Sequence, residues 1–584
     1  MFKLFRLLKP SWLLIFGLLL ATGAQVWFSL QIPALMGQIV NQGIMRQDLD
    51  FIWRTSCLMA LSTVFATLGL VLTSLFSAKI SAAFTRDLRH QIFQKVLEFS
   101  VEEIDEFSTA SLLTRSFNDV NQMRHALSTI LSTMLRAPLM CIGAIIQAIT
   151  TAANMTWIII LAVFILISTT TTIMALVIPK FRILQKLWDE ITLLTRENLT
   201  GLQVIHAFNN QDLAKKKFDK TNRELAAVDI FIAKIISFRG PIISFIFNGT
   251  FLLCIWIGVN HLTENISYLG NMMAFAQYAS QVVMSFLMLT MVFITIPRAN
   301  VSAKRILEVL DKKSPIRWLD KTKGEPSSIP SLKFKNVCFA YPDADEEILH
   351  NISFSVNASE AIAFIGSTGS GKSTLIKLIP RFFEITKGQI LVNGLDLRDY
   401  AEPDLMQRIG YVPQTSRLFS GTIAENLRFG APNLSEEEMI TAVKTAEAYN
   451  FVQKLGFNAK VSEGGNNFSG GQRQRLSIAR AIAKNPEFYL FDDAFSALDA
   501  KTDARLRARL RKITDKAITI IVAQRINTIK DADKIIVLSQ GRIVGRGKHY
   551  ELLKKCRIYQ EIAKSQYSEA EFATEMEKAE KNHV

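Results

Sequence analysis

The residues with the plainest chemistry stand in "AIAFIGSTGSGKSTLIKLI", a run that is apolar, then glycine-rich, then helical in pattern. It fits G-x-x-x-x-G-K-[ST], with Gly366, Gly371, Lys372 and Ser373 in register. Glycines there let backbone N–H groups close around phosphate, Lys372 reaches the terminal phosphates, and Ser373 offers a hydroxyl to Mg²⁺. The helix that follows points its positive end at the anion. A second run, "PEFYLFDDA", is apolar until Asp492. Such a strand delivers a carboxylate to the carboxyl edge of a parallel sheet, where it can hold Mg²⁺ through water. The two runs predict an α/β phosphate-binding domain.

What must position them is only part of the chain. Its 584 residues leave room for more than one domain, and 49% are hydrophobic, high for a soluble protein, with the charges concentrated in the second half. Charge-free windows of the length that a bilayer core requires predict six membrane helices. Ser11 to Met45 carries the first and Ser56 to Ala78 the second; Ala137 to Pro179 holds two, joined near Asn154-Met155; Gly240 to Thr263 is the fifth, and Asn265 to Pro297 contains the sixth. The first window is too long for a cleaved signal peptide and lacks a cleavage site.

Basic residues set the expected orientation, because they stay cytoplasmic. Lys3, Arg6 and Lys9 precede the first window, and Lys79, Arg86, Arg89, Lys95, Arg115 and Arg124 lie between the second and third. Lys180, Arg182, Lys186, Arg196 and Lys215 to Lys217 lie between the fourth and fifth, whereas the opposite side has only Arg46 and Arg54. Both termini and the phosphate-binding domain are therefore expected in the cytoplasm, and the membrane is expected to be the plasma membrane. The net charge of +15 belongs largely to these flanks, which suits anionic lipid and argues against nucleic acid. Five scattered cysteines without metal-ligand spacing read as reduced.

The expected layout is a transmembrane domain over 1–320, a Gly/Pro/Ser linker "KTKGEPSSIPS" over 321–331, the α/β domain over 332–564 and a charged tail over 565–584. Two cytoplasmic stretches with turn chemistry, 99–112 and 198–210, carry exposed-looking apolar residues and read either as hairpin caps or as docking tips. Within the spans, Gln277 and Gln281 share a helix face, and Arg136 is placed near a cytoplasmic end, where it can snorkel.

Between the two phosphate-site runs stands "NNFSGGQRQRLSIARAI", and here the sequence resembles an ATP-binding cassette. Ser469, Gly470, Gly471 and Gln472 resemble the signature of that family, with Phe468 where Leu is usual. Tyr341 in "FAYP" resembles the aromatic that stacks on adenine, Gln414 in "YVPQ" the Q-loop, and Ser496 to Asp499 the D-loop. With six spans before one cassette, the chain resembles the half-transporter exporters of the multidrug and lipid type. The resemblance implies that ATP is bound by Tyr341 and by Gly366, Ser367, Thr368, Gly369, Ser370, Gly371, Lys372, Ser373 and Thr374, and that Ser373, Gln414 and Asp492 hold Mg²⁺. It also implies that the chain dimerises, each ATP lying between one phosphate loop and the partner's signature, and that the two tips are coupling helices.

Two residues depart from the family pattern. Asp493 stands where a Glu activates water, and Gln524 where a His contacts the γ-phosphate. Gln414, Asp493 and Gln524 are the catalytic set, weakened by a carboxylate one methylene short and by an amide that cannot relay a proton. The expectation is the degenerate subunit of a heterodimeric exporter of amphiphiles such as drugs or lipids, its sound signature serving the partner's ATP. The alternatives are a homodimer with two slow, equivalent sites, and a regulatory ATP-binding membrane subunit.

Overall fold

The computed structural model describes residues 3–262, 268–342, 344 and 346–581. The expected span ends Thr263 and Asn265, and the last three residues of the tail, lie outside them. The chain divides into two compact units: Met1–Leu97 with Thr109–Lys312, and Glu98–Ser108 with Lys313–Val584.

Among the described residues of the first unit, six helices are long and apolar enough to cross a membrane: Trp12–Ile44, Leu49–Leu97, Thr109–Thr151, Ala153–Thr200, Gln211–Gly258 and Leu269–Asp311. Most run beyond the charge-free windows, because the polar flanks keep helical spacing after the apolar residues end. The hairpin turns where expected: Ala152 leaves helical space (φ −154°, ψ 78°) and Ala153–Met155 forms one tight turn. Small residues let backbones approach, as membrane helices without a hydrophobic drive between them require. A Cβ on Gly37 would lie 2.9 Å from the Gly270 carbonyl oxygen, so the first and sixth helices cross nearly backbone to backbone.

Polar side chains bridge the same pair of helices. Tyr278 Oη donates to the Leu30 carbonyl at 2.9 Å, Asn41 Nδ2 to Asn271 Oδ1 at 3.0 Å, and Gln281 Nε2 to the Ser29 carbonyl at 3.4 Å. Gln277 is exposed. The helix that carries Arg136 continues back to Thr109 through π-turns at Arg115–Asp119 and Ile130–Met134. Arg136 Nη2 lies 3.9 Å from Met288 Sδ.

The second unit is built on a six-stranded sheet in the order Arg542–Gly547, Lys534–Ser539, Ala361–Gly366, Ile518–Val522, Phe488–Asp492, Ile409–Val412, parallel except at the first pair. Its central strands are buried on both faces, which is why they read as unbroken apolar runs. Alternate residues feed opposite layers: Ile362, Phe364, Phe488 and Leu490 one, Ala363, Ile365, Tyr489 and Phe491 the other. An antiparallel sheet in the order Leu349–Asn357, Ser331–Phe339, Lys387–Val392, Leu395–Asp396 completes the unit.

Three boundaries differ from the sequence reading. The first tip joins the second unit: Phe99 is buried and stacks on Phe107 at 5.8 Å, and Val101 packs on the cassette's apolar core. The 321–331 linker is fastened rather than loose, through Lys323 N to the Asp399 carbonyl (2.8 Å) and Ser327 N to the Asn393 carbonyl (2.9 Å). Before it, Trp318 packs against the same core beneath Arg381, 4.8 Å from the ring centroid. Nor is the 565–584 tail separate, since helix Glu569–Lys581 lays Phe572, Met576 and buried Ala579 on the domain. Its charges occupy the outer face except Glu575, and the sparse apolar residues at helical spacing make the seam.

His549 locks this C-terminal layer. It is buried, with Nδ1 2.7 Å from Tyr559 Oη and Nε2 3.5 Å from Glu575 Oε2. Burial lowers its pKa against the opposing pull of Glu575. A base whose folded pKa is lowered contributes stability that is present above its ordinary value near 6.5 and lost as pH falls below it. Amide protection factors across Glu569–Lys581, corrected for the intrinsic rate, should therefore fall between about pH 7 and 5.5. His549→Gln should remove that pH-dependent part; its persistence would locate the switch elsewhere.

Candidate nucleotide site

Strand Ala361–Gly366 ends beside Lys534–Ser539 so closely that a Cβ on Gly366 would strike the Leu538 carbonyl. The loop then turns through Gly371, which adopts φ +93° as the N-cap of helix Lys372–Leu378 and could not carry a side chain without strain. Lys372 is buried and folds over its own loop, donating from Nζ to the carbonyls of Gly366 (2.9 Å) and Ser367 (2.7 Å) and to Ser370 Oγ (3.3 Å). Burial lowers its pKa, against the attraction of Asp493 and Asp492. Ser367, Thr368 and Gly369 complete the turn, and Thr374 lies in the helix, its Oγ1 3.2 Å from Tyr341 Oη. Tyr341 itself stands edge-on to Phe339 (4.9 Å) and Phe383 (5.2 Å).

Strand Phe488–Asp492 brings the acids to this loop. Asp492 Oδ1 accepts from Ser373 Oγ at 2.8 Å and Oδ2 from Tyr411 Oη at 3.4 Å. Burial raises the Asp492 pKa, opposed by Ser373, Lys377, Tyr411 and Lys372. Burial and then Asp492 raise the Tyr411 phenol, keeping it a donor. Asp493 leaves the strand in the left-handed region, φ +50°, which Asp tolerates better than longer side chains. That turn aims its carboxylate away from Asp492's partners and onto two amides: Oδ2 accepts from Gln524 Nε2 (3.2 Å) and Gln414 Nε2 (3.4 Å). Burial and the neighbouring Asp492 raise its pKa, against Gln414, Lys372 and Arg525.

The predicted Ser373, Gln414, Asp492, Asp493 and Gln524 thus form one cluster. The signature residues form another: Ser469 caps helix Gly470–Ala483, its Oγ accepting from Gln472 N (3.3 Å) while its own N donates to Gln472 Oε1 (2.9 Å). A Cβ on Gly471 would lie 3.3 Å from the Ala497 carbonyl, whereas Gly470 faces open space.

Sequence reasoning missed Tyr411 and Gln474. Gln474 links the clusters, donating to the Asp493 carbonyl (3.4 Å) and accepting from Ala497 N (3.2 Å). Tyr411 was visible in "YVPQ" as an aromatic three residues before Gln414, but only the strand register shows that it faces Asp492. Lys372→Ala should weaken ATP binding at this chain's loop about 10- to 100-fold, the range for losing a charge-assisted hydrogen bond. Titration with a fluorescent ATP analogue reads this directly, and unchanged affinity would move the site away from the loop.

Comparison with known proteins agrees with this geometry. Residues 14–286 match the family described as ABC transporter transmembrane region, and residues 349–496 the family described as ABC transporter. An uncharacterized ABC transporter ATP-binding protein of Mycobacterium tuberculosis is 38% identical over 92% of this chain and 93% of its own. One of Bacillus subtilis, YfiB, is 34% identical over 97% and 98%. The solved structure of a bacterial Atm1-family ABC exporter with ATP bound is 25% identical and superposes with a TM-score of 0.78 over 96% of this chain and 99% of that one. The chain is a multi-pass membrane protein that binds ATP and works with a second half-transporter, of its own or another kind. It belongs to the ABC transporters, as an exporter half-transporter that couples ATP hydrolysis to transport.

Proposed function

We propose that this chain is the slow-site subunit of a heterodimeric exporter, binding ATP at its own phosphate loop and lending its signature to a faster site on the partner. The observation that carries this reading is the shared hydrogen bonding of the two departures: Gln524 Nε2 lies 3.2 Å from Asp493 Oδ2. They are one rebuilt unit rather than two unrelated substitutions. Burial raises the Asp493 pKa, which strengthens the carboxylate as a base. Its arm is one methylene short, and misplacement by about 1 Å costs on the order of 100-fold. Gln524 holds the acid by an amide that can neither carry charge nor relay a proton. The signature shows no such change: Ser469 and Gln472 close a complete capping box at the N-terminus of a 14-residue helix, a start suited to the partner's phosphate.

Mg²⁺ fits the same site. Ser373 Oγ and Asp492 Oδ1 lie 2.8 Å apart at the mouth of the loop, and with Gln414 they form an oxygen-rich donor set for a hard cation. When bound, the ion neutralises charge on the β- and γ-phosphate oxygens. The second tip supports coupling to a partner: no residue of Leu202–Ala207 is buried, and Leu202, Val204 and Phe208 are exposed. On this cassette, exposed Phe419 and Phe429 stack at 4.4 Å and offer the partner's tip an apolar seat. The Lys and Arg bias supports cytoplasmic termini in the plasma membrane, and apolar spans bearing a few amides support small amphiphiles as cargo.

Purified alone in nanodiscs, the chain should hydrolyse ATP slowly, and Asp493→Glu with Gln524→His should raise the rate by about tenfold or more. A fast parent homodimer would sink the heterodimer reading. Within the heterodimer, a bulky residue at Gly471 should stop most turnover while Lys372→Ala does less harm; equal losses would indicate two equivalent sites.

A further inference from the structure

The residue that touches Asp493 is itself held from far along the chain. Gln566, the last residue of helix Arg557–Gln566, donates from Nε2 to the Gln524 carbonyl at 2.7 Å and accepts from Ile526 N at 2.8 Å. One amide therefore grips the backbone on both sides of Arg525. The short helix Ile526–Ile529 has no side-chain cap of its own, since Arg525 at its N-cap supplies none. Gln566 fills that role from 40 residues away. A side chain with one donor and one acceptor in fixed geometry is what two backbone groups of opposite polarity require.

The grip has a firm base. Tyr559 and Ala563, on one face of the same helix, are fully buried, and the next residue, Tyr567, donates from Oη to Asn527 Oδ1 at 3.2 Å. Ile526 is also fully buried, which leaves the backbone at Gln524 little freedom while the clamp is closed. The Gln524 side chain then spans the remaining gap to Asp493 Oδ2.

We infer that Gln566 is a positioning residue for hydrolysis: it fixes the Gln524 backbone so that the Gln524 amide holds the Asp493 carboxylate in place. The C-terminal helices thereby become part of the apparatus that sets turnover at this site. The inference rests on ATP hydrolysis by this chain and holds whether the site is slow or fast, because each variant is scored against the parent.

The test is single-turnover ATP hydrolysis by the full-length chain in nanodiscs, with protein in excess. Gln566→Ala should lower the rate constant about fivefold, the worth of one net hydrogen bond, with ATP affinity unchanged. In a Gln524→Ala background the same substitution should cost nothing further, because the group it positions is gone. Gln566→Glu keeps the acceptor for Ile526 N but sets a carboxylate oxygen against the Gln524 carbonyl, so it should lower the rate at least as much as Gln566→Ala. Ser565→Ala, whose hydroxyl bonds only the Ile562 carbonyl within its own helix, should match the parent. An equal loss from Gln566→Ala in both backgrounds, or no loss in either, would overturn the clamp. A fast parent would overturn the slow-site reading alone.

Discussion

Two neighbouring carboxylates at the end of one buried strand are the constraint around which the cassette is arranged. Asp492 and Asp493 are both desolvated, and the charge on Asp492 makes that on Asp493 harder to hold. The backbone separates them: the left-handed turn at Asp493 sends one acid toward Ser373 and Tyr411, the other toward Gln414 and Gln524. Lys372 lies close enough to lower both pKa values while staying tied to its own loop. Each acid thus has its own donors.

The membrane half answers a different constraint. Apolar side chains gain nothing by leaving lipid for one another, so contact must come from small residues and polar bridges. Gly37 against Gly270, and Asn41, Tyr278 and Gln281 between the first and sixth helices, supply both kinds. Ser77 meets Ser128 across the second and third helices in the same way, at 3.4 Å.

Much of this was legible in the chain. Charge-free windows revealed the membrane helices because a bilayer imposes length and polarity directly on sequence. The phosphate loop was legible because glycine, lysine and serine at fixed offsets have few other uses. The first tip was legible as a docking segment but its receiving surface was hidden: Phe99 is buried against Phe107, and Val101 packs on a core hundreds of positions away. The tail misled because its charges dominate the composition, while only Phe572, Met576 and Ala579 decide its packing. Nothing in the sequence linked Gln566 to Gln524, since a side chain that caps a distant backbone leaves no periodic trace.

The segment Glu98–Ser108 belongs by packing to the cassette although the chain reaches it from membrane helices on both sides. The polypeptide therefore passes between the two units three times, near residues 97, 108 and 312. Exchanging the cassette for a relative's by a single cut near residue 312 would leave a piece of its surface behind, so a working chimaera must carry the short tip as well.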